Sequence, residues 1–210
     1  MKKLKSTLTN MILVLVSVAL FTGGLLAFVN HMTEGPIQKQ AEKALADGIQ
    51  SVMSCEGLQV TANDTVKQQF DNKESMFIIH KVIDKNGKNL GAAVESMTQG
   101  FGGDLNVLVG FDTDGNVLGY TILQTNETPG LGAKADKWFQ KDGKGNIIGK
   151  HPAKNKLAVT KGGEGEIDAI TASTITSRAF LKAVNQAYSA YQNDKDAHNS
   201  ASKQPKRKEE

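Results

Sequence analysis

The stretch DAITASTITSRAF, from Asp168 to Phe180, carries five hydroxyl side chains, Thr171, Ser173, Thr174, Thr176 and Ser177. Hydroxyls at such spacing can do two things. If Thr174 stands in the first turn of a helix, unpaired backbone N–H groups and the positive end of the helix dipole would stabilise a phosphate there. The small residues Ala172 and Ser173 would let such a group come close. Alternatively, Thr171 or Thr174 caps the helix with its own hydroxyl and no ligand is involved.

Other chemistries find little support. Cys55 is the one cysteine, which excludes an internal disulfide and any site built from several thiolates. His31, His80, His151 and His198 are far apart and form no His-x-x-x-His pair, so no metal site is expected. GKGNIIG from Gly143 has the wrong spacing for a dinucleotide loop and follows no predicted strand. DTDGN from Asp112 imitates a calcium loop, but its glycine comes too early and Leu123 stands where the bidentate glutamate belongs. The formal net charge of +3 equals the contribution of Lys2, Lys3 and Lys5, so the rest of the chain is balanced and no nucleic-acid partner is expected.

The elements that must position the hydroxyls begin with an anchor. Met11 to Val29 is an uncharged apolar run of nineteen residues. As a helix it reaches roughly 30 Å, about the thickness of a bilayer's hydrocarbon layer. Lysines before it and few positive charges after it place the N-terminus in the cytoplasm and the remainder on the outer side. LAFVNHMTEG lacks a small-x-small cleavage site, which favours an uncleaved anchor over a signal peptide. Residues 1–30 are therefore read as cytoplasmic N-terminus and transmembrane anchor, followed over 31–56 by a stalk helix that packs on the domain. That helix carries Ile37, Ala41, Leu45, Ile49 and Val52 on one face, with Pro36 at its start.

Residues 57–192 read as one α+β domain of antiparallel hairpins packed on helices. MFIIHKVID and NLGAAVESM flank the turn KNGK, and LNVLVGFD and NVLGYTILQ flank a second turn at Thr113 to Gly115. Between the hairpins, Gly100, Gly102 and Gly103 allow positive φ and close backbone approach. NETPGLGAKADKWFQ joins a Pro-Gly turn to a short helix around Trp138. A loop over 141–155 then leads to a short strand, KLAVTK. From Thr174 a helix runs to Gln192, with Phe180, Val184, Ala187, Tyr188 and Tyr191 facing the sheet. The polar, non-periodic residues 193–210 are expected to be a disordered tail.

The residues Asp168, Thr171, Ala172, Ser173 and Thr174 resemble the attachment signature of the FMN-binding domain family, whose members carry covalent flavin: Asp, two variable residues, Ser or Thr, a small pair, then the acceptor Thr. Ala172 and Ser173 stand where the family usually has Gly and Ala. Glu127 to Gly132, ETPGLG, resembles a second block of the family, and GFGG from Gly100 resembles its GYGG block with Phe101 in place of tyrosine. These blocks, with Lys161 before the signature and the single N-terminal span, are similar to the G subunits of Rnf electron-transport complexes from Lys2 to Tyr191.

The resemblance implies FMN bound covalently by a phosphoester to Thr174, making the chain a phosphoprotein of a kind. A separate flavin transferase would form the bond, with Asp168 and Thr171 helping it recognise the site. Ala172, Ser173 and Thr176 would lie beside the cofactor. Gly100, Phe101, Gly102, Gly103, Gly130 and Gly132 would admit or border the ring and ribityl chain, Leu131 would pack on it, and Glu127 and Thr128 would offer hydrogen bonds. The implied protein is an electron relay of an ion-translocating ferredoxin:NAD oxidoreductase, with no catalytic acid, base or substrate site of its own. It would sit as a single-pass protein in a bacterial inner membrane, its FMN domain on the periplasmic or outer side, among lipid and the other Rnf subunits. Two neighbouring readings share the motifs: the C subunit of sodium-translocating NADH:quinone reductase, and a stand-alone anchored flavoprotein.

Overall fold

The computed structural model of the chain describes residues 7–55, 57–70, 73–155, 157–160 and 167–202. It divides into two compact units, one up to Leu45 and one from Ala46 onward. The first unit is helical from Leu8, as part of α1 (Leu8–Met53). This helix is long and apolar enough to cross a membrane. Pro36 lies inside α1, not at the start of a separate stalk helix, so anchor and stalk are one continuous element.

The second unit is built on a five-stranded antiparallel sheet in simple sequential order. Its strands are β1 (Gln59–Phe70), β2 (Lys73–Ile83), β3 (Asn89–Gln99), β4 (Asp104–Phe111) and β5 (Val117–Thr125). A short 3₁₀ turn (Gly132–Lys134), α2 (Ala135–Trp138) and α3 (Thr174–Ser202) complete it. Both expected hairpins form, and an aspartate organises each loop. Asp84 Oδ1 accepts the N–H groups of Asn86 and Lys88 at 2.7 and 2.8 Å. Asp112 Oδ1 accepts those of Asp114 and Asn116 at 2.9 and 2.8 Å. DTDGN thus spends its first carboxylate on the turn.

Alternation of side chains along the strands gives the sheet two faces. On one, Phe77, Ile79, Ala92, Val94, Leu105, Val107, Val109 and Phe111 meet Phe180, Val184, Ala187 and Tyr191 of α3 in the main core. Phe180 stacks on Phe139 with ring centroids 4.3 Å apart, which brings the segment around α2 into the same core. Tyr120 donates its hydroxyl to Ala135 O at 2.6 Å and fixes that segment further. The other face is covered by the last two turns of α1. Gly48, Ile49, Val52 and Met53 are buried there, against residues that include Leu108 and Thr121. Of the apolar stripe expected on the stalk, Ile49 and Val52 bury, while Ile37 and Ala41 are exposed.

Two local expectations are corrected. A strand over KLAVTK is reduced to an isolated parallel bridge between Val159 and Ile167. Residues 193–202 continue α3 and are not a disordered tail. No Gly or Pro falls within 193–202 to interrupt the helix. Lys81 bonds Asp194 at 3.0 Å and Lys195 donates to Thr113 O at 2.6 Å, which fastens its first extra turn. Strand β1 comes in addition, a strand the hydrophobic pattern does not announce. Lys161 and residues 203–210 lie outside the described residues.

Candidate functional site

Three segments distant in sequence converge at one end of the sheet. The first is the turn 100–103, which joins β3 to β4 and is closed by the Gly100 N–H donating to Gly103 O at 2.8 Å. The second is the loop after β5. There the N–H groups of Leu131 and Ala133 both donate to Thr128 O, at 3.1 and 3.2 Å, and coil the chain into the 3₁₀ turn. The third is the loop that enters α3.

This entry loop is held tightly. The Ser173 N–H donates to Ile170 O at 3.0 Å, and Ala172 adopts a left-handed backbone with φ 62°. Glycine is the residue that takes this conformation without a Cβ penalty, a physical reason for a glycine at that point of the signature. The Ser177 hydroxyl accepts the Ile170 N–H at 2.9 Å and donates to Ser173 O at 3.0 Å. Helix α3 begins at Thr174. Its first-turn N–H groups point out of the N-terminus, where an anion is favoured.

Phe101, Glu127, Thr128, Leu131, Gly132, Ala172, Ser173, Thr174 and Thr176, all singled out in the sequence, line one cavity of about 400 Å³. Ile175, which the sequence reading passed over, lines it too. An exposed apolar residue in a helix's first turn was the available signal. Phe101, Leu131 and Ile175 are exposed at 70%, 42% and 57%, an apolar rim, while Glu127, Ser173 and Thr176 are buried.

A second cleft of about 370 Å³ is lined by Asp168, Thr171, Ala172 and Thr174 among others. Ala172 and Thr174 therefore border both spaces, whereas Asp168 and Thr171 border only the second. The Asp168 carbonyl accepts the Trp138 indole N–H at 2.8 Å, which ties the signature to α2.

The remaining glycines stand apart. Gly130, with φ 77°, lines a neighbouring cavity with Trp138 and Lys144. A Cβ on Gly102 would lie 2.2 Å from Asn126 O, so that glycine serves a close backbone approach within the protein. Gly103 packs on the Asn126 side chain. Cβ atoms on Gly100 and Gly132 would meet the Glu127 carboxylate, at 2.1 and 2.4 Å. Glu127 Oε1 is itself engaged by the Phe101 N–H at 2.7 Å.

Residues 100–189 match the family model of the FMN-binding domain. Residues 1–52 match that of the RnfG N-terminal region. The G subunit of the Na(+)-translocating ferredoxin:NAD(+) oxidoreductase complex of Acetobacterium woodii is 36% identical over 178 residues, covering 80% of this chain and 84% of its own. The G subunit of the ion-translocating oxidoreductase complex of Yersinia pestis is 34% identical, covering 82% of this chain and 86% of its own. The crystal structure of the C subunit of Na(+)-translocating NADH-quinone reductase from Parabacteroides distasonis superposes with a TM-score of 0.48 at 21% identity, covering 74% of this chain and 94% of that one.

Proposed function

The chain belongs to the family of G subunits of ion-translocating oxidoreductase complexes, and from that premise we propose that it relays electrons through FMN carried on Thr174, within a membrane complex of the ferredoxin:NAD type. The observation that carries the proposal is the convergence of the 100–103 turn, the 127–132 loop and the start of α3 on one cavity, with Thr174 on its wall. At about 400 Å³ the cavity falls within the range of small-molecule and cofactor sites. Its exposed apolar rim of Phe101, Leu131 and Ile175 suits an aromatic ring system, and its hydroxyl side chains suit a phosphate and a polyol chain.

FMN, when bound, supplies reversible electron uptake at its ring; the protein's part is attachment, position and potential. The Thr174 hydroxyl is the phosphoester acceptor. The first turn of α3 favours the negative charge of that phosphate. Leu131 and Phe101 give apolar contact to the ring, and Thr128 offers a hydrogen bond. Asp168 and Thr171, on the second cleft, remain accessible to the transferase that makes the bond. A tether suits a relay because it removes the bimolecular rebinding step and keeps the effective concentration high. The anchor helix keeps the domain beside its redox neighbours, the other members of the complex, with the FMN domain on the outer side of the inner membrane.

The test is an intact-mass spectrum of the protein from membranes of cells that make the flavin transferase. The expected result is a mass increased by one phosphoester-linked FMN, abolished in Thr174→Ala together with flavin fluorescence in a denaturing gel. A colourless wild-type protein of unmodified mass would overturn the proposal.

A further inference from the structure

We propose that Glu127 sets the redox potential of the site, by fixing a buried carboxylate in the cavity wall where it opposes the negative charge that reduction adds. This rests on the placement of FMN in the Thr174 cavity put forward above. Glu127 lines that cavity and is only 7% exposed. Its position is over-determined. Oε1 accepts the Phe101 N–H at 2.7 Å, and the carboxylate fills the space a side chain on Gly100 or Gly132 would need, 2.1 and 2.4 Å from the two Cβ positions. Two glycines on two loops thus make room for one acidic group.

A buried carboxylate is costly unless something compensates its charge. Among the described residues, no ion pair within 4.0 Å reaches Glu127. The Phe101 N–H supplies part of that compensation. Thr176 Oγ1, in the first turn of α3, lies within 2.8 Å of the same Gly132 Cβ position that the carboxylate approaches. The hydrogen bond to Phe101 asks only for an acceptor oxygen, which a glutamine would supply equally well. The charge is therefore surplus to the strut, and its effect falls on the cavity. Interactions between charges are stronger in such a partly desolvated space than in water. A two-electron reduction that takes up fewer than two protons leaves the ring system more negative, and a fixed carboxylate makes that state less favourable. The consequence is a lower midpoint potential.

The experiment is a dithionite titration of the detergent-solubilised full chain, in wild type, Glu127→Gln and Glu127→Asp, each shown by intact mass to carry FMN. Dithionite supplies the electrons and is oxidised to sulfite. The expected result is a midpoint shifted to more positive potential in E127Q and retained near the wild-type value in E127D. An unshifted E127Q, or an E127D shifted as far as E127Q, overturns the proposal. Glu127→Gln keeps the acceptor oxygen for the Phe101 N–H, so a variant that still carries FMN by intact mass reads the charge and not a loss of fold. Wild-type protein without FMN mass would instead overturn the underlying placement of the cofactor.

Discussion

The Ser177 hydroxyl accepts the Ile170 amide at 2.9 Å, joining the residue four before Thr174 to the residue three after it. Its own proton goes to Ser173 O at 3.0 Å, so a single buried oxygen closes the loop that presents the acceptor threonine. Ser177→Ala leaves the buried Ile170 N–H without that partner, at a cost of about 1–3 kcal/mol. The expected outcome is a lower urea midpoint and a reduced fraction of flavin-bearing protein in the intact-mass spectrum. Unchanged values of both would show that the loop is fixed by other contacts.

Ala172 carries a strain that its neighbours impose. With φ 62° it sits in the region that costs an L-residue with a Cβ about 1–2 kcal/mol. Ala172→Gly removes that cost while loosening the unfolded chain slightly, so a net stabilisation of about 1 kcal/mol is expected. Differential scanning calorimetry should register it as a rise in Tm of about 2–4 °C. A fall would mean that the Cβ makes contacts worth more than the strain.

Alkaline pH should weaken the packing of α3. Burial, reinforced by Asp112 and Asp194, pushes the Tyr191 hydroxyl up to about 12. Partial burial disfavours the Lys81 ammonium, but its bonds to Asp64 and Asp194 prevail and hold it above its ordinary value. In both cases the folded state prefers the protonated form. Their contribution is therefore complete below the unfolded values near 10 and is lost as pH rises toward about 12. Urea midpoints measured across that window should fall, and fall less steeply in Tyr191→Phe, which has nothing to ionise. Parallel slopes in the two proteins would remove Tyr191 from the account.

These cases show what a sequence can and cannot make legible here. The hairpins were readable because their turns are local: Asp84 and Asp112 meet their N–H partners within four residues. Strand β1 was not, because QVTANDTVKQQF has polar residues on both sides. As an edge strand it packs only Val66 and Phe70 against the core and owes its conformation to pairing with β2. The extension of α3 was hidden by composition, since its anchors, Lys81 and Thr113, lie about eighty residues or more away in the chain. At the site, the family blocks marked the participating segments, and Thr174 does open α3. The role of Glu127 toward Gly100 and Gly132 depends on three loops meeting, which no local pattern encodes.

The end of α1 rests on a platform of two glycines paired across β4 and β5. A Cβ on Gly110 would lie 2.7 Å from Val52 O, and one on Gly119 2.8 Å from the same oxygen. Backbone cannot swing aside as a flexible side chain can, so either alanine must lift the helix end and open the packing of Ile49, Val52 and Met53. Gly110→Ala and Gly119→Ala are each expected to cost about 1–3 kcal/mol, read as urea midpoints of the detergent-solubilised full chain. Because both clash with one carbonyl, the first substitution relieves the second, and the double variant should lose less than the sum. Additive losses would mean that each glycine answers to a separate constraint.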